Sequence, residues 1–410
     1  MKGIKNIQVL ILFLMATFAV NAQVTKVGND TLIDVVSWNV EWLGNTSNGP
    51  SNEALQYTNV KTTIANTDMD VWGLSEVCDA SLFSSLLQDL SVYDGTLSTF
   101  SQTQKTAMLW KKSKFDLISY TNINDISQSD FYNAFAGRYP LEVVLKTKGN
   151  ALVDTIYFYT VHLKANSGSA DQSSYDRRKN SVTYLKTWLN ANRRGKKIIV
   201  MGDWNDDVDQ SVVMISGSYL PTPFSAFDSD TANYFFPSKR LSLTGETSYP
   251  NYNPKNMIDH QMASRVLSDS FYVSNSAAVM KQLSTQISSY INSTTDHYPV
   301  YARYNFKRYP RAVPADTTPV DTVKTGLSQI ESMPEMMIYP NPSQGTINIG
   351  GHQPIQLFEL YNTLGELVYT TSIQTNTRTI TLPGYLVNGV YIGLFQSSQQ
   401  TYHTKFKLLR

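Results

Sequence analysis

Short apolar runs, each followed by polar residues, recur along the first three quarters of the chain. Their length and β-branched content predict strands at 33–38, 71–74, 107–110, 141–145, 156–162, 198–201, 258–263 and 299–304. The segment 173–192 instead places Val182, Leu185 and Leu189 on one helical face, and Gly195 follows as a stop. Strands that alternate with helices and long polar loops predict a layered domain of the mixed α/β or α+β class.

The pattern changes after residue 306. The segment 307–335 contains several prolines among threonines and few residues to bury, which is typical of a linker. From 336 to 410, short alternating runs are broken by turn signals such as Asn388-Gly389. We therefore predict a large domain at 23–306 that would carry any catalytic residues, a linker at 307–335 and a small all-β sandwich at 336–410.

The first 22 residues have a composition of their own. Lys2 and Lys5 precede an apolar run at 9–20, and Ala22 supplies a small residue for cleavage. This pattern predicts a secretory signal peptide at 1–22, since the run is short for a membrane span. No other stretch predicts a stable membrane span, so we expect an exported protein.

Charge and cysteine content narrow the classes of function. The chain has 34 basic and 33 acidic residues, a formal charge of +1. The overall charge therefore gives no indication that the protein binds nucleic acid. Any site for a polyanion must therefore be local. The single cysteine, Cys78, excludes an intrachain disulfide.

Polar residues follow the predicted strands at the points where those strands end. The set comprises Asn39, Glu76, His162, Asp203, Asn205, Asp259, Asp296 and His297. Because strand ends in a sheet protein converge on one rim, we expect these side chains to form one site. Each of them alone is more often structural or solvated, and only their joint recurrence favours a site.

The stretch 198–207 is the centre of this set. Gly202 permits a tight turn after a buried strand, and an extended backbone would point Asp203 and Asn205 the same way. By itself the stretch is equally consistent with a strand that runs into an Asx-rich turn. We interpret Asp206 and Asp207 as solvated turn residues.

The chemistry of the set favours phosphoryl transfer. Several carboxylates and an amide are ligands for Mg²⁺ or Ca²⁺, while the sequence lacks the Cys and His spacings of zinc sites. Two histidines with nearby carboxylates can work as acid and base.

The residues also resemble a known family. The motifs are WNVE (38–41), LSEV (74–77), GRYP (137–140), VHLK (161–164), GDWN (202–205), IDH (258–260) and STTDHYPV (293–300). In this order they resemble the endonuclease/exonuclease/phosphatase superfamily, most closely deoxyribonuclease I and similar secreted bacterial endonucleases. The resemblance implies a four-layered α/β sandwich, in which two packed mixed sheets are flanked by helices.

The resemblance also implies roles for the strand-end residues. Asn39 and Glu76 would bind the divalent metal with Asp296 close to it, and Asp203 and Asn205 would place the attacking water or the phosphate. His162 and His297 would be the acid and base, with Asp259 orienting His297. Arg138 would bind a phosphate oxygen, and the local basic residues Lys164 and Arg178 would add phosphate contacts. The cofactor is expected to be Mg²⁺, with Ca²⁺ or Mn²⁺ as alternatives.

One segment departs from the family pattern. Relatives with two histidines often carry a glutamate just before the strand that corresponds to 107–110, where it orients the first histidine. Here residues 102–106 read QTQKT, so the sequence leaves the orienting partner of His162 unidentified.

The C-terminal domain carries a second resemblance. Its motifs are MIYPNPSQG (337–345), LYNTLGELV (360–368), LVNGVY (386–391) and KFKLLR (405–410). They resemble the C-terminal sorting domain of type IX secretion substrates, which implies the type IX machinery as a partner and export across the outer membrane. The alternative is an all-β carbohydrate-binding or adhesion module.

Together these patterns predict a secreted, metal-dependent endonuclease. It would hydrolyse phosphodiester bonds of DNA or RNA by in-line attack of water, and a monomer is expected. A first alternative is a phosphodiesterase or phosphatase acting on phospholipid or inositol phosphate, for which the aromatic segment 219–252 would be a lipid-contacting insertion or a loop packed on the sheet. A second alternative is a non-catalytic surface binding protein.

Overall fold

The computed structural model of the chain describes residues 23–306 and 337–410, apart from 126, 128, 149–153, 252–255, 351–354, 363–366, 374–378 and 397–400. The predicted signal peptide at 1–22 and the predicted linker at 307–335 lie outside the described residues. Among the helices that the structure describes, none has both the length and the apolar character needed to cross a bilayer.

Every strand predicted in the first domain is present, usually with one or more residues added. The strands are β1 (Ile33–Leu43), β2 (Val71–Val77), β3 (Tyr93–Leu97), β4 (Lys105–Lys111), β5 (Phe115–Asn122), β6 (Leu141–Thr147), β7 (Thr155–His162), β8 (Lys197–Asp203), β9 (Gln210–Ile215), β10 (Ser218–Pro221), β11 (Tyr234–Phe235), β12 (Asp259–Ser264), β13 (Ala278–Val279) and β14 (Val300–Tyr304). One six-stranded sheet has the order β13-β14-β1-β2-β4-β3, and a second has the order β11-β12-β8-β7-β6-β5.

Helices lie between these strands. They are α1 (Glu53–Thr67), α2 (Ala80–Asp89), α3 (Phe131–Ala134), α4 (Gln172–Asn192), α5 (Ser225–Asp228), α6 (Lys239–Leu243), α7 (Arg265–Phe271), α8 (Leu283–Gln286) and α9 (Tyr290–Ser293). The predicted helix at 173–192 is α4, which begins after Asp171 because that carboxylate accepts a hydrogen bond from the Ser174 N–H at 3.0 Å. Neither α1 nor α2 was predicted: α1 has no clear apolar periodicity, whereas α2 carries Leu82, Phe83, Leu86 and Leu87 at helical spacing, a signal that was overlooked.

The two large sheets pack face to face. On β8, Ile199 and Met201 point into a core shared with residues of β1, β2 and β4 from the other sheet. Ile198 and Val200 point the opposite way, into a second core with α4. Because successive side chains of a strand alternate between faces, a continuous apolar run marks a strand that is buried on both sides. The layers are therefore helix, sheet, sheet and helix, which confirms the predicted four-layered sandwich.

Gly202 is required where β8 passes β7. Its φ is +147°, and a Cβ atom there would lie 1.9 Å from the backbone oxygen of Val161. Gly202→Ala is therefore expected to lower the free energy of unfolding by about 2–4 kcal/mol, measured by urea denaturation. The matched control is Gly217→Ala, since Gly217 also has a positive φ, +81°, but no atom within 4 Å of a new Cβ. We expect a cost of about 1 kcal/mol there, and equal costs at the two positions would contradict this interpretation.

The C-terminal domain is all-β, as predicted. Its strands are β15 (Met337–Tyr339), β16 (Thr346–Gly350), β17 (Leu357–Asn362), β18 (Leu367–Ser372), β19 (Thr379–Thr381), β20 (Gly389–Gln396) and β21 (Thr401–Leu408). They form a three-stranded sheet, β15-β16-β19, and a four-stranded sheet, β18-β17-β20-β21. Ile347 from the first sheet and Phe358, Phe395 and Phe406 from the second share one apolar core.

Candidate active site

Strand register brings three of the polar strand-end residues to one edge of the second sheet. In the parallel pair of β7 and β8, His162 lies opposite Asp203. In the antiparallel pair of β8 and β12, Asp203 lies opposite Asp259. Residues paired across adjacent strands project from the same face, so the three side chains form one buried row.

The first sheet contributes Asn39 and Glu76. The parallel pairing of β1 and β2 sets Asn39 beside Ser75, and Glu76 follows with a left-handed φ of +67°. The Asn39 amide nitrogen donates to Glu76 Oε1 at 3.0 Å and to Asp203 Oδ2 at 2.9 Å. One amide therefore holds a carboxylate from each sheet.

His297 approaches this row from the turn before β14. Its Nδ1 lies 2.8 Å from Asp259 Oδ2, and its Nε2 lies 4.0 Å from Asp203 Oδ2 and 3.8 Å from Asp296 Oδ1. Tyr290 donates its hydroxyl hydrogen to the His297 carbonyl at 2.7 Å, which fixes the turn. The imidazole is thus held by a carboxylate on one side and faces the carboxylate row on the other.

The two histidines are driven toward opposite protonation states. Burial disfavours the charged form of His297, but the carboxylates of Asp259 and Asp203 outweigh it and raise its pKa well above 6.5. Burial, with Arg138 and His297 adding to it, lowers the pKa of His162 well below 6.5. Because their environments shift the two pKa values in opposite directions, His297 can act as an acid while His162 stays neutral.

His162 lacks an orienting side chain in the described part of the chain. Its Nδ1 is buried without a hydrogen-bond partner, and its Nε2 lies 3.6 Å from Glu76 Oε1. Gln104, in the segment where relatives carry the glutamate, instead accepts a hydrogen bond from Arg138 at 3.1 Å. The departure noted in the sequence therefore corresponds to a missing contact in the structure.

The donor set fits a divalent cation. Ligand atoms of Glu76, His162 and Asp203 lie within 4.8 Å of one another. Burial raises the pKa of Glu76, and burial with the charge of Asp259 raises that of Asp203 to about 7. Burial and mutual repulsion disfavour the ionised forms of these carboxylates, and a bound metal ion would stabilise those ionised forms. This group includes Glu76 from the predicted ligand set.

The other two predicted metal ligands, Asn39 and Asp296, make different contacts. Asn39 directs its amide nitrogen at the carboxylates, while its oxygen accepts a hydrogen bond from the Glu41 N–H at 2.9 Å. Asp296 lines the same cleft but lies outside the group of Glu76, His162 and Asp203. Metal binding by Asn39 and Asp296 stays a prediction.

The row opens into a cleft of about 250 Å³. Asn205 lines it, but not for the reason expected from an extended backbone. β8 ends at Asp203, and Asn205 has a left-handed φ of +54°, with its N–H donating to Asp203 Oδ1 at 2.9 Å. A tight turn therefore sets the two side chains together.

Glu41, Trp42 and Tyr249 are among the cleft residues that the sequence reasoning missed. Glu41 has a left-handed φ of +46°, accepts a hydrogen bond from the Asp296 N–H at 2.9 Å, and has a pKa that burial and Asp296 raise to about 7. Its position inside the WNVE motif was a usable signal. Trp42 also lines the cleft, and Tyr249 places its ring 4.8 Å from that of His297. Neither had a signal beyond its aromatic character.

The three residues predicted to bind phosphate lie in different surroundings. Arg178 is fully buried and donates to Asp206 Oδ2 at 2.7 Å, so its guanidinium is engaged within the protein and gives no support to its prediction as a phosphate-binding residue. Arg138 donates to the carbonyls of His162 and Leu163 at 3.0 and 2.7 Å, which supports the backbone after the histidine. Phosphate binding by Arg138 and by the half-buried Lys164 stays a prediction.

The interpretation of Asp206 and Asp207 as solvated turn residues is wrong. Asp206 has no exposed surface because it pairs with Arg178. Asp207 is 16% exposed, and its Oδ1 lies 3.8 Å from Nε2 of the buried His260. A local run of acidic residues does not reveal which partners will reach it from distant elements.

No curated protein sequence matches the chain. Similar solved structures include humanized D. rerio TDP2 (15% identity, 67% of this chain and 99% of that chain, TM-score 0.49). They also include the human Nocturnin catalytic domain with bound sulfate (16%, 68% and 96%, TM-score 0.45) and an endonuclease/exonuclease/phosphatase from Bacteroides vulgatus (13%, 67% and 98%, TM-score 0.48).

Two family descriptions match the chain itself. Residues 337–408 match the secretion system C-terminal sorting domain, which indicates export and a cell-surface or secreted location. Residues 36–297, well over half of the chain, match a second family. The match includes strands of both large sheets and every residue of the row formed by His162, Asp203 and Asp259. The chain therefore belongs to the endonuclease/exonuclease/phosphatase family.

Proposed function

We propose that this protein is an exported, divalent-metal-dependent phosphodiesterase that hydrolyses DNA or RNA. The observation that supports the proposal is the buried pair of His297 and Asp259, with 2.8 Å between nitrogen and oxygen, beside the joined carboxylates of Glu76 and Asp203. A protonated imidazole next to a cation-binding group suits cleavage of a phosphodiester, in which charge develops on oxygen.

The residues have separable tasks in this mechanism. Glu76, with His162 and Asp203 beside it, would hold the cation, which supplies a Lewis acid for the phosphoryl oxygens. Asp203, held by the Asn39 amide at the edge of this group, accepts a proton from the attacking water. His297 donates a proton to the leaving oxygen.

Two further contacts hold these groups in place. Asp259 keeps the His297 ring oriented through Nδ1 and stabilises its charged form. Asn39 prevents Glu76 and Asp203 from turning away from each other, because its amide donates to both.

Local positive charge supports a polyanionic substrate. Among the described residues, Lys164 and Arg177 donate to the backbone carbonyls of Ala165 and Asn133, each at 2.7 Å, and neither forms a salt bridge. Burial and the nearby Arg177 lower the pKa of Lys164, so positive charges crowd this side of the cleft. Lys164 directly precedes Ala165, which lines the cleft. A phosphate backbone would neutralise these charges without base-specific contacts.

Three phenylalanines of the aromatic segment 219–252 give no support to a lipid substrate. Phe224, Phe227 and Phe236 are between 0 and 4% exposed. The rings of Phe224 and Phe236 pack against Trp204, with centroids 5.0 and 5.4 Å away. They belong to the core of the second sheet and offer no apolar surface to a membrane.

An assay of the full chain tests the proposal. Purified protein is incubated with plasmid DNA, RNA, sphingomyelin or an inositol phosphate, in Mg²⁺, Ca²⁺, Mn²⁺ or EDTA. We expect cleavage of nucleic acid that falls at least about 100-fold in EDTA, because the buried carboxylates need their cation. Headgroup release without plasmid nicking would overturn the nucleic-acid substrate, and full activity in EDTA would overturn the metal. Inactivity on all four substrates would favour a binding protein.

A further inference from the structure

Arg178 lies on α4, outside the catalytic row, yet it contacts both loops that follow the row. Its side chain is fully buried. Nε and Nη2 donate to Asp206 Oδ2 at 3.0 and 2.7 Å. Nη1 donates to the Lys164 carbonyl at 2.7 Å and to Asn166 Oδ1 at 2.8 Å. One guanidinium therefore bridges the segment after His162 and the segment after Asp203.

Asp206 extends the same bridge. Its Oδ2 also accepts a hydrogen bond from the Ser211 hydroxyl at 2.9 Å. Its Oδ1 accepts from the backbone N–H of Val212 at 2.7 Å and of Asp207 at 3.0 Å. These bonds from Ser211, Val212 and Asp207 fix the segment 206–212, which comprises the loop after β8 and the first residues of β9. We call this segment the second loop.

Both loops form walls of the candidate active site. Ala165 and Asn166 come from the first loop and Val212 from the second, and all three line the cleft. The Asn205 amide adds a direct link, since its nitrogen donates to the Leu163 carbonyl at 3.1 Å. The shape of the cleft therefore depends on how these two loops are held.

Arg178 also decides which end of Asn166 meets the cleft. A guanidinium can only donate, so the atom of Asn166 that contacts it must be the amide oxygen. The amide nitrogen has no hydrogen-bond partner among the described residues, and it carries two hydrogens that can donate to an anionic oxygen of a substrate.

We propose that Arg178 and Asp206 are a positioning pair that holds the two cleft loops, and through them Asn166, for substrate binding and turnover. This inference rests on the proposed function, since it assigns the pair a task in the same cleft. The alternative is a purely stabilising pair. A buried ion pair often adds little net stability, because desolvation of both charges offsets their attraction, and apolar residues can replace it. Apolar residues cannot reproduce the hydrogen bonds to Lys164, Asn166 and Val212.

The test is the double variant Arg178→Met with Asp206→Leu, in the full chain. It removes both charges together, so we expect it to fold, with a Tm lowered only by the backbone groups that lose their hydrogen-bond partners. We expect kcat to fall and KM for nucleic acid to rise about 10-fold each, or about 100-fold in kcat/KM, because displaced loops misplace the substrate. A loss of folded fraction would lower kcat alone and leave KM unchanged.

The chain supplies a matched control pair. Arg193, the residue that caps α4, donates to both carboxylate oxygens of the buried Glu142 at 2.9 Å, and neither residue lines the cleft. Arg193→Met with Glu142→Leu is expected to keep kcat/KM within about threefold of the wild type. Arg178→Lys is the conservative variant, since an ammonium can pair with Asp206 but cannot span to the first loop. It should lower kcat/KM about 10-fold.

Two outcomes overturn the proposal. One is a folded double variant with wild-type kcat and KM, and the other is wild-type kinetics in Arg178→Lys, which decides the matter if the double variant does not fold. Amide hydrogen exchange at Val212 and Asp207 reports on the loop without any substrate, and it should accelerate in the variant. If the wild type cleaves no nucleic acid, the proposed function fails, while the exchange experiment still decides whether the pair holds the loop.

Discussion

Replacing His297 with alanine is expected to lower kcat/KM for a phosphodiester by about 10³-fold, the range of a general acid. His297 is the only described histidine with a carboxylate within hydrogen-bond distance, Asp259 at 2.8 Å, and its free Nε2 faces Asp203 across 4.0 Å. Alanine removes the proton donor and leaves Asp259 as a buried, unpaired carboxylate. Steady-state kinetics on a short oligonucleotide with its natural phosphodiester bonds would measure the loss, because a natural alkoxide leaving group needs the proton.

The matched control is His260→Asn. His260 follows Asp259 on the same strand, is fully buried, and places Nδ1 2.9 Å from Ser238 Oγ on the opposite face. An asparagine amide can keep that hydrogen bond, so kcat/KM should stay within about threefold. Equal losses at the two positions would mean that both histidines act through the fold, and His297 would leave the catalytic set.

The pH dependence of activity tests the same role of His297 as the acid. Carboxylates raise the pKa of His297 well above 6.5 against the effect of burial, so the imidazole stays charged through neutral pH. Activity that needs its proton is lost as the pH rises through that raised value. Asp259→Asn removes one of the charges and should move this loss toward lower pH. A profile that is unchanged in Asp259→Asn would contradict the role of His297 as the acid.

Asp203→Asn is expected to have an effect of similar size, about 10³-fold on kcat/KM. Asp203 lies where the two sheets meet the cleft, hydrogen-bonded to Asn39 and 3.7 Å from His162 Nε2. The amide keeps the shape but cannot accept a proton from water, and it removes one anionic donor of the cation group. The apparent affinity for Mg²⁺ or Mn²⁺ should fall about 10-fold or more, which isothermal titration of the metal would measure.

Asp207→Asn is the control for this second variant. Asp207 lies four residues further along and also has a pKa that burial raises to about 7, but its carboxylate faces His260 and does not line the cleft. We expect its substitution to leave kcat/KM and metal affinity within about threefold of the wild type. If Asp203→Asn binds metal and turns over like Asp207→Asn, the assignment of Asp203 as base is wrong.

Much of the fold was readable in the chain because its signals are local. The run Ile198–Met201 is apolar at every position, which marks a strand buried on both faces whatever lies around it. The segment 173–192 carries its helical face in the spacing of three apolar residues. Helix α1 has no such spacing, since polar Gln56, Thr63 and Thr67 are among its buried residues, and it was missed for that reason.

The candidate site was readable for a related reason. Strand ends at one edge of a sheet converge, so polar residues at the ends of β7 and β8 had to come close once the strands paired. The exact contacts were not readable. Glu41 and Asn205 reach the cleft only because their backbones are left-handed, a conformation that their residue types permit but do not require.

The sequence by itself determined the two-domain plan, the layered α/β fold and the strand-end set that contains Asp203, Asp259 and His297, because each follows from local periodicity. The tertiary structure alone decided which charges are buried and with whom. Arg178 and Asp206 stand 28 residues apart and each resembles a solvated residue in its own neighbourhood. Only the packing of α4 over the second sheet removes both from water, and desolvation then makes each charge require the other.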